Sequence, residues 1–222
     1  MLSKRLLCCA EMVRGKVAAD IGTDHAWLPI YLVETGKCER AYACDIAEGP
    51  LSFAKKNILG AGLEDKIETV LSDGLTELSD DSISDIIIAG MGGEMIRDIL
   101  RNGLDKAKKA NLILQPNTRA WELIDWLYRN GFEVLEQKAV ADGKFVYPVI
   151  NARFSGSVKI LSEAECLAAG LDLNEEISQE YLSLQIKRLL GAANGMKKAA
   201  KPDSSFEALE RTAIELEKLL GR

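Results

Sequence analysis

Acidic side chains recur where strand-like runs stop. Asp20-Ile21-Gly22-Thr23-Asp24-His25 closes a first apolar run, Asp45 closes a second, and Ser72-Asp73-Gly74 follows a third. A glycine turn ahead of a helix often binds nucleotide phosphates, but neither the GxGxxG nor the GxxxxGK[ST] spacing is present. Asp24 would repel a pyrophosphate and no lysine adjoins it, so a positively charged ligand suits this loop better. Gly22 lets backbone approach that ligand, and the neighbouring amides are candidate donors to it. A carboxylate at Asp45 can accept both hydroxyls of a ribose, and Asp73 can accept from an adenine amino group. A sulfonium and an α-ammonium, both carried by S-adenosylmethionine, would meet Asp20 and Asp24 favourably. Taken singly, an acid after a strand is more often a turn former or helix cap; three in order form an adenosyl pattern.

Two further segments offer polar groups. Gly90-Met91-Gly92-Gly93-Glu94 permits a tight loop lying flat against a purine, or simply a strand-to-helix turn. In Leu114-Gln115-Pro116-Asn117, the amides of Gln115 and Asn117 suit a base edge, while Asn117 is equally a helix cap. His25 is the sole histidine, which excludes a His-rich metal site; with no CxxC pair among the five cysteines, no zinc centre is expected. His25 either serves as a general base or orients its loop. No GxSxG elbow supports hydrolase chemistry.

These loops need a scaffold that ends several strands side by side. Strand-like runs at Val17–Ile21, Ala41–Asp45, Ile67–Leu71, Ile83–Ala89 and Asn111–Leu114 alternate with helical stretches at Ala26–Thr35, Pro50–Ala61, Glu94–Arg101 and Ala120–Asn130. That rhythm predicts a doubly wound parallel α/β sheet, with left-handed caps at Gly36, Gly62, Gly103 and Gly131. Leu2, Leu6, Cys9 and Val13 form a helical stripe before it. Phe132 to Val140 and Lys144 to Phe154, joined by a turn at Asp142-Gly143, read as a terminal β-hairpin. The sheet domain is expected over residues 1–155 and a helical domain over 156–222. In the latter, Leu182, Ile186, Leu189, Ala193 and Met196 can zip against Phe206, Leu209, Ala213, Leu216 and Leu220 as a coiled-coil hairpin. The same stripe can drive association of two copies. Lys201-Pro202-Asp203 breaks the run, and Ser204 with Glu207 predicts a capping box.

Composition narrows the function. The chain has 222 residues, 47% hydrophobic and 28% charged, which excludes wholesale disorder. No apolar run approaches the ~20 residues of a membrane helix, and no signal peptide is read, so the expected address is the cytoplasm. Reduced thiols fit that compartment. A net charge of −6 argues against gripping nucleic acid through bulk charge alone. Lys187, Arg188, Lys197, Lys198 and Lys201 nevertheless gather in the tail, as a solvated helix face or as phosphate contacts.

Six segments in order carry a resemblance: Leu2-Ser3-Lys4-Arg5-Leu6, Asp20 to Ala26, Gly60-Ala61-Gly62-Leu63, Ser72-Asp73-Gly74-Leu75, Ile88 to Gly93, and Leu114 to Asn117. Together they resemble the bacterial tRNA (adenine-N1)-methyltransferases of the TrmK type, from Leu2 to about Ala152. The resemblance implies a class I, Rossmann-like methyltransferase with a coiled-coil tail, methylating N1 of adenine 22 in the tRNA D-arm. It implies donor contacts from Asp20, Gly22, Asp24, His25, Asp45, Asp73, Gly74, Gly90, Met91 and Gly92. Gly93, Gln115, Asn117 and the tail cations Lys187, Arg188, Lys197 and Lys198 would meet tRNA, and Asp24 would stabilise the charge developing on the purine. Two alternatives keep the fold: methylation of a small molecule or protein, or a non-catalytic nucleotide-binding adaptor.

Overall fold

A computed structural model describes residues 2–198 and 205–221. Seven strands form one mixed sheet: β1 (Val17–Ile21), β2 (Arg40–Asp45), β3 (Ile67–Leu71), β4 (Asp85–Gly92), β5 (Asn111–Thr118), β6 (Phe132–Asp142) and β7 (Phe145–Phe154), in the order 3-2-1-4-5-7-6. The first five are parallel, and β7 inserts antiparallel between β5 and β6. The predicted doubly wound sheet and terminal hairpin are therefore present.

Alternation along the strands sorts side chains into two layers. Ile86 and Ile88 face one core with Leu112 and Leu114, whereas Ile87 and Ile113 face the other. All four isoleucines are at most 1% exposed, each contributing roughly 1.5–3 kcal/mol of apolar burial. On the Ile87 side lie α1 (Lys4–Met12), α2 (Trp27–Glu34) and α3 (Glu48–Ala61); on the other lie α4 (Gly93–Asn102), α5 (Leu104–Ala107) and α6 (Ala120–Arg129). Ser3 caps α1 by accepting from the Leu6 amide, and Cys9 and Val13 of the predicted stripe are buried.

Three local expectations are corrected. Gly36, Gly62 and Gly131 have positive φ, but Gly103 sits at φ −112° because the chain there passes directly into α5. Its requirement is space: a Cβ would lie 2.4 Å from the Leu75 Cβ. In the hairpin, Asp142 pairs with Phe145, so the two-residue turn is Gly143-Lys144, with Gly143 at φ 64°. The third concerns α7 (Glu163–Ala168), a short helix that the long stripes concealed; Ser162 and Glu165 form its capping box. The break at Lys201-Pro202-Asp203 and the Ser204 cap lie outside the described residues.

Beyond α7 run α8 (Glu176–Lys197) and α9 (Phe206–Leu219). Leu182, Ile186 and Ala193 share one apolar cluster with Ala213 and Leu216, and Lys197 pairs with Glu210, so the helices lie antiparallel. Leu189 and Leu220 pack against that cluster, while Met196 stays outside it at 36% exposed. The cluster also takes in Ala139 and Val146 of the hairpin, and the Gln137 amide donates to the Gly170 carbonyl at 2.8 Å. The tail thus covers part of the β6 edge, and cutting the chain at residue 155 would expose that surface.

Gly103→Ala should lower stability by about 1–3 kcal/mol, read as a fall in the urea midpoint. An unchanged midpoint would mean that Leu75 gives way without cost.

Candidate active site

Parallel register brings the acidic loops together. Ile21 pairs with Cys44 on one side and Ile88 on the other, so Gly22, Asp45 and Ala89 emerge at one level. The crevice between β1 and β4 is the switch point of the sheet, where open α/β folds bind ligands. Both amides expected to face a ligand are already used: those of Gly22 and Thr23 donate to the Cys44 carbonyl, each at 2.8 Å. Gly22, at φ 75°, serves close approach instead, since a Cβ would lie 2.1 Å from the Met91 Cε. Met91 thus reaches across the crevice to Gly22.

Asp20 is 7% exposed, and burial pushes its carboxyl up to about 6 from an ordinary value of 3.8; Asp24 and Asp45 add to the shift and the facing Thr23 hydroxyl opposes it. Thr23 Oγ1 is itself buried without a partner of normal hydrogen-bond geometry. His25 and Ala26 both take positive φ, at 60° and 58°, a costly conformation for residues with a Cβ. Asn57 Nδ2 secures the turn by donating to the His25 carbonyl at 2.9 Å. The His25 ring meets Phe53 edge-on at 5.2 Å, and its Nε2 lies 3.2 Å from Asp24 Oδ1. The Asp24 side chain is 86% exposed, so water screens whatever charge it faces.

On the far side of β1, Asp45 Oδ1 accepts from the Ala47 amide at 2.8 Å. Its neighbour Ile46 is 69% exposed, presenting apolar surface beside a carboxylate. Asp73 is exposed at the end of β3, whereas Gly74 is buried against Ile99 and contributes backbone only.

The β4 loop is held by a clasp. Gly90, at φ 80°, donates its amide to Gln115 Oε1 at 3.1 Å, and its carbonyl accepts from Asn117 Nδ2 at 2.7 Å. Arg5 of α1 grips both amide side chains: Nη1 donates to Gln115 Oε1 at 3.0 Å and Asn117 Oδ1 at 2.8 Å, while Nε donates to Asp142 Oδ2 at 3.0 Å. Its guanidinium also lies 4.6 Å from the Tyr147 ring centroid. The expectation that Gln115 reads a base edge is corrected: the side chain is fully buried and committed to this clasp. Asn117 does not cap α6 either; Arg119 occupies that place at φ 55°, bound to Glu94 and Glu122. Gly93 turns inward, where a Cβ would lie 2.4 Å from the Arg119 carbonyl oxygen, so its lack of a side chain shapes the loop. Arg5 stands in the segment Leu2-Ser3-Lys4-Arg5-Leu6, but nothing in a lone arginine near the N-terminus signals its four distant partners, Gln115, Asn117, Asp142 and Tyr147.

The tail cations divide. Lys187, Arg188 and Lys198 are exposed, while Lys197 pairs with Glu210 and lies over the Phe206 ring; Lys201 is outside the described residues. All five thiols are free and buried, and burial pushes each upward, Cys8 and Cys38 to about 11. Among the described residues no group of three or more His, Cys, Asp or Glu side chains is set to hold a metal ion, and no helix is long and apolar enough to cross a membrane.

This sheet order with acidic strand ends defines a Rossmann-like methyltransferase, and a family model described as a methyltransferase domain matches residues 2–150. The chain is 35% identical over 189 residues to the tRNA (adenine(22)-N(1))-methyltransferase of Bacillus subtilis, covering 84% of this chain and 79% of that protein. It belongs to that family. The crystal structure of B. subtilis TrmK superposes with a TM-score of 0.85 at 30% identity, over 99% of both chains. A Streptococcus pneumoniae relative, described as a putative tRNA (m1A22) methyltransferase in complex with S-adenosyl-L-methionine, gives 0.84 at 30% identity over 99% of this chain and 100% of that one. TrmK of M. capricolum in complex with S-adenosyl-homocysteine gives 0.83 at 29%, over 100% and 98%.

Between pH 3.8 and about 6, folded Asp20 keeps a proton that the unfolded chain has lost, so its contribution to stability falls as pH rises through that window. Asp20→Asn should therefore stabilise the protein by about 3 kcal/mol more at pH 8 than near pH 4, measured by urea denaturation. Arg5→Met leaves three acceptors short of a donor and should cost about 2–4 kcal/mol; Arg5→Lys, a point charge without the fork, should recover less than half.

Proposed function

We infer that the protein transfers the methyl group of S-adenosylmethionine to N1 of adenine 22 in bacterial tRNA, working in the cytoplasm. The observation that carries this is the 35% identity to the B. subtilis enzyme, reaching over 84% of this chain.

The crevice suits the donor. Asp20 is a buried carboxyl whose ionisation a cation would favour, Thr23 Oγ1 is an orphaned polar atom beside it, and Asp45 with exposed Ile46 offers an acceptor next to an apolar face. Asp20, Asp24 and His25 would hold the charged end, Asp45 and Ile46 the ribose and base edge, with Asp73 at the adenine amino group. Gly22, Met91 and the Gly90 loop would border the donor by backbone and thioether. When bound, the donor supplies an electrophilic methyl group on a sulfonium. Adenine N1 brings its own lone pair, so no side chain needs to take a proton before transfer. The chain's contribution is then positioning, exclusion of water and placement of negative charge near the purine as it becomes cationic. The Arg5 clasp would serve the first by fixing Gly90. Asp24 would serve the last, within the limit set by its exposure.

Residues 1–155 would bind the donor and 156–222 would help hold the tRNA arm, with Lys187, Arg188 and Lys198 toward phosphates. N1 lies on the Watson–Crick edge, so a paired adenine must leave its stack first.

Incubation of the protein with labelled donor and unmodified bacterial tRNA should yield N1-methyladenosine by nucleoside mass spectrometry, lost when adenine 22 is replaced. Binding should weaken steeply with salt. Transfer without salt dependence would instead favour a small-molecule or protein substrate. Asp24→Asn should slow single-turnover transfer several-fold with donor bound; an unchanged rate would remove its electrostatic role.

A further inference from the structure

A cleft of about 690 Å3 opens beyond the clasp, walled by the β5–α6 loop, the tip of the β6–β7 hairpin and the middle of α8. Asn117, the residue that hydrogen-bonds the Gly90 carbonyl, is among the residues that line it, which sets the cleft beside the switch-point crevice. Its outer wall is aromatic. Phe145 is 54% exposed on the hairpin tip, 5.9 Å from the Tyr147 ring at 60°. A phenylalanine beside a two-residue turn has no core to fill there. Tyr147 lines the cleft while Arg5 stacks on its ring, which fixes the ring's orientation.

Charge in the cleft is also selective. Arg119 and Arg188 line it against the single acid Glu163, and burial pushes that carboxyl upward. Arg119 is neutralised by Glu94 and Glu122, whereas Arg188 carries no ion pair among the described residues. An aromatic wall that accepts a base face and an exposed arginine that accepts a phosphate are what a single unstacked nucleotide requires.

We propose that this cleft takes one unstacked nucleotide of the RNA substrate, its base against Phe145 and Tyr147 and its phosphate toward Arg188. The proposal rests on the tRNA methyltransferase reading and assigns that site its acceptor side. Stacking on the hairpin tip would offset the cost of extracting the base from the arm, and adjacency to Gly90 would place the base edge at the donor.

The test uses the full chain and unmodified tRNA, with donor affinity followed by calorimetry. Phe145→Ala and Tyr147→Ala should each lower kcat/KM for tRNA at least tenfold while leaving donor affinity within twofold. Phe145→Trp should retain most activity, which a merely structural role for that position would not predict. Arg188→Gln should raise KM for tRNA and reduce the salt slope of binding by about one. If wild type methylates tRNA and the aromatic variants match it within twofold, the cleft is not the nucleotide site and the function stands. Equal loss of donor and tRNA binding would also overturn the proposal. If wild type transfers no methyl to tRNA, the family activity fails, and direct tRNA binding decides the cleft. Tenfold weakening by Phe145→Ala and Arg188→Gln would sustain it; unchanged binding would overturn it.

Discussion

Ending parallel strands at one level forces like charges together. Asp20, Asp24 and Asp45 arrive at the mouth of β1 and β2 by register, and burial of the first makes its ionisation costly. The arrangement works against stability at neutral pH, and a cation bound among the three carboxylates relieves it. Unfavourable electrostatics in the free protein thus become affinity for a positively charged ligand. The remaining features of the fold hold these strand ends and their loops in place.

The restraint is mostly backbone and amide chemistry. The Cys44 carbonyl takes two amides from the β1 loop, Asn57 takes the His25 carbonyl, and Gln115 with Asn117 brackets Gly90 on both faces. The three non-glycine residues with positive φ, His25, Ala26 and Arg119, all stand in these loops. Strain concentrated beside a ligand crevice and nowhere else among the described residues marks a geometry kept for use rather than for folding.

Arg5 ties the layers into one unit. Through a single guanidinium, α1 reaches β5 and the hairpin directly and Gly90 by way of Gln115 and Asn117, the planar fork satisfying acceptors from two strands, β5 and β6. The helical tail then closes over the same hairpin through Ala139 and Val146. The β4 loop, the hairpin and the tail therefore share supports.

Periodicity and punctuation determined the fold: the strands Val17–Ile21 and Ile67–Leu71 were legible to the residue, because short strand-forming runs bounded by turn residues and alternating with helical stretches have few other solutions. The acidic strand ends were legible for the same reason, since a parallel sheet places its carboxyl ends together whatever the side chains are. Partners distant in sequence were not legible. Gln115 and Asn117 carry amides that suit a base edge or another side chain equally, and only the approach of Gly90 and Arg5 decided between them. Gly103 and Gly93 look like conformational glycines, yet the neighbours Leu75 and Arg119 make them spatial ones. The cleft at Phe145 joins a loop, a hairpin and a helix from three parts of the chain. Local sequence sets dihedral preference and burial; which surfaces then meet is fixed by the closing of the whole core, and that only the tertiary structure decides.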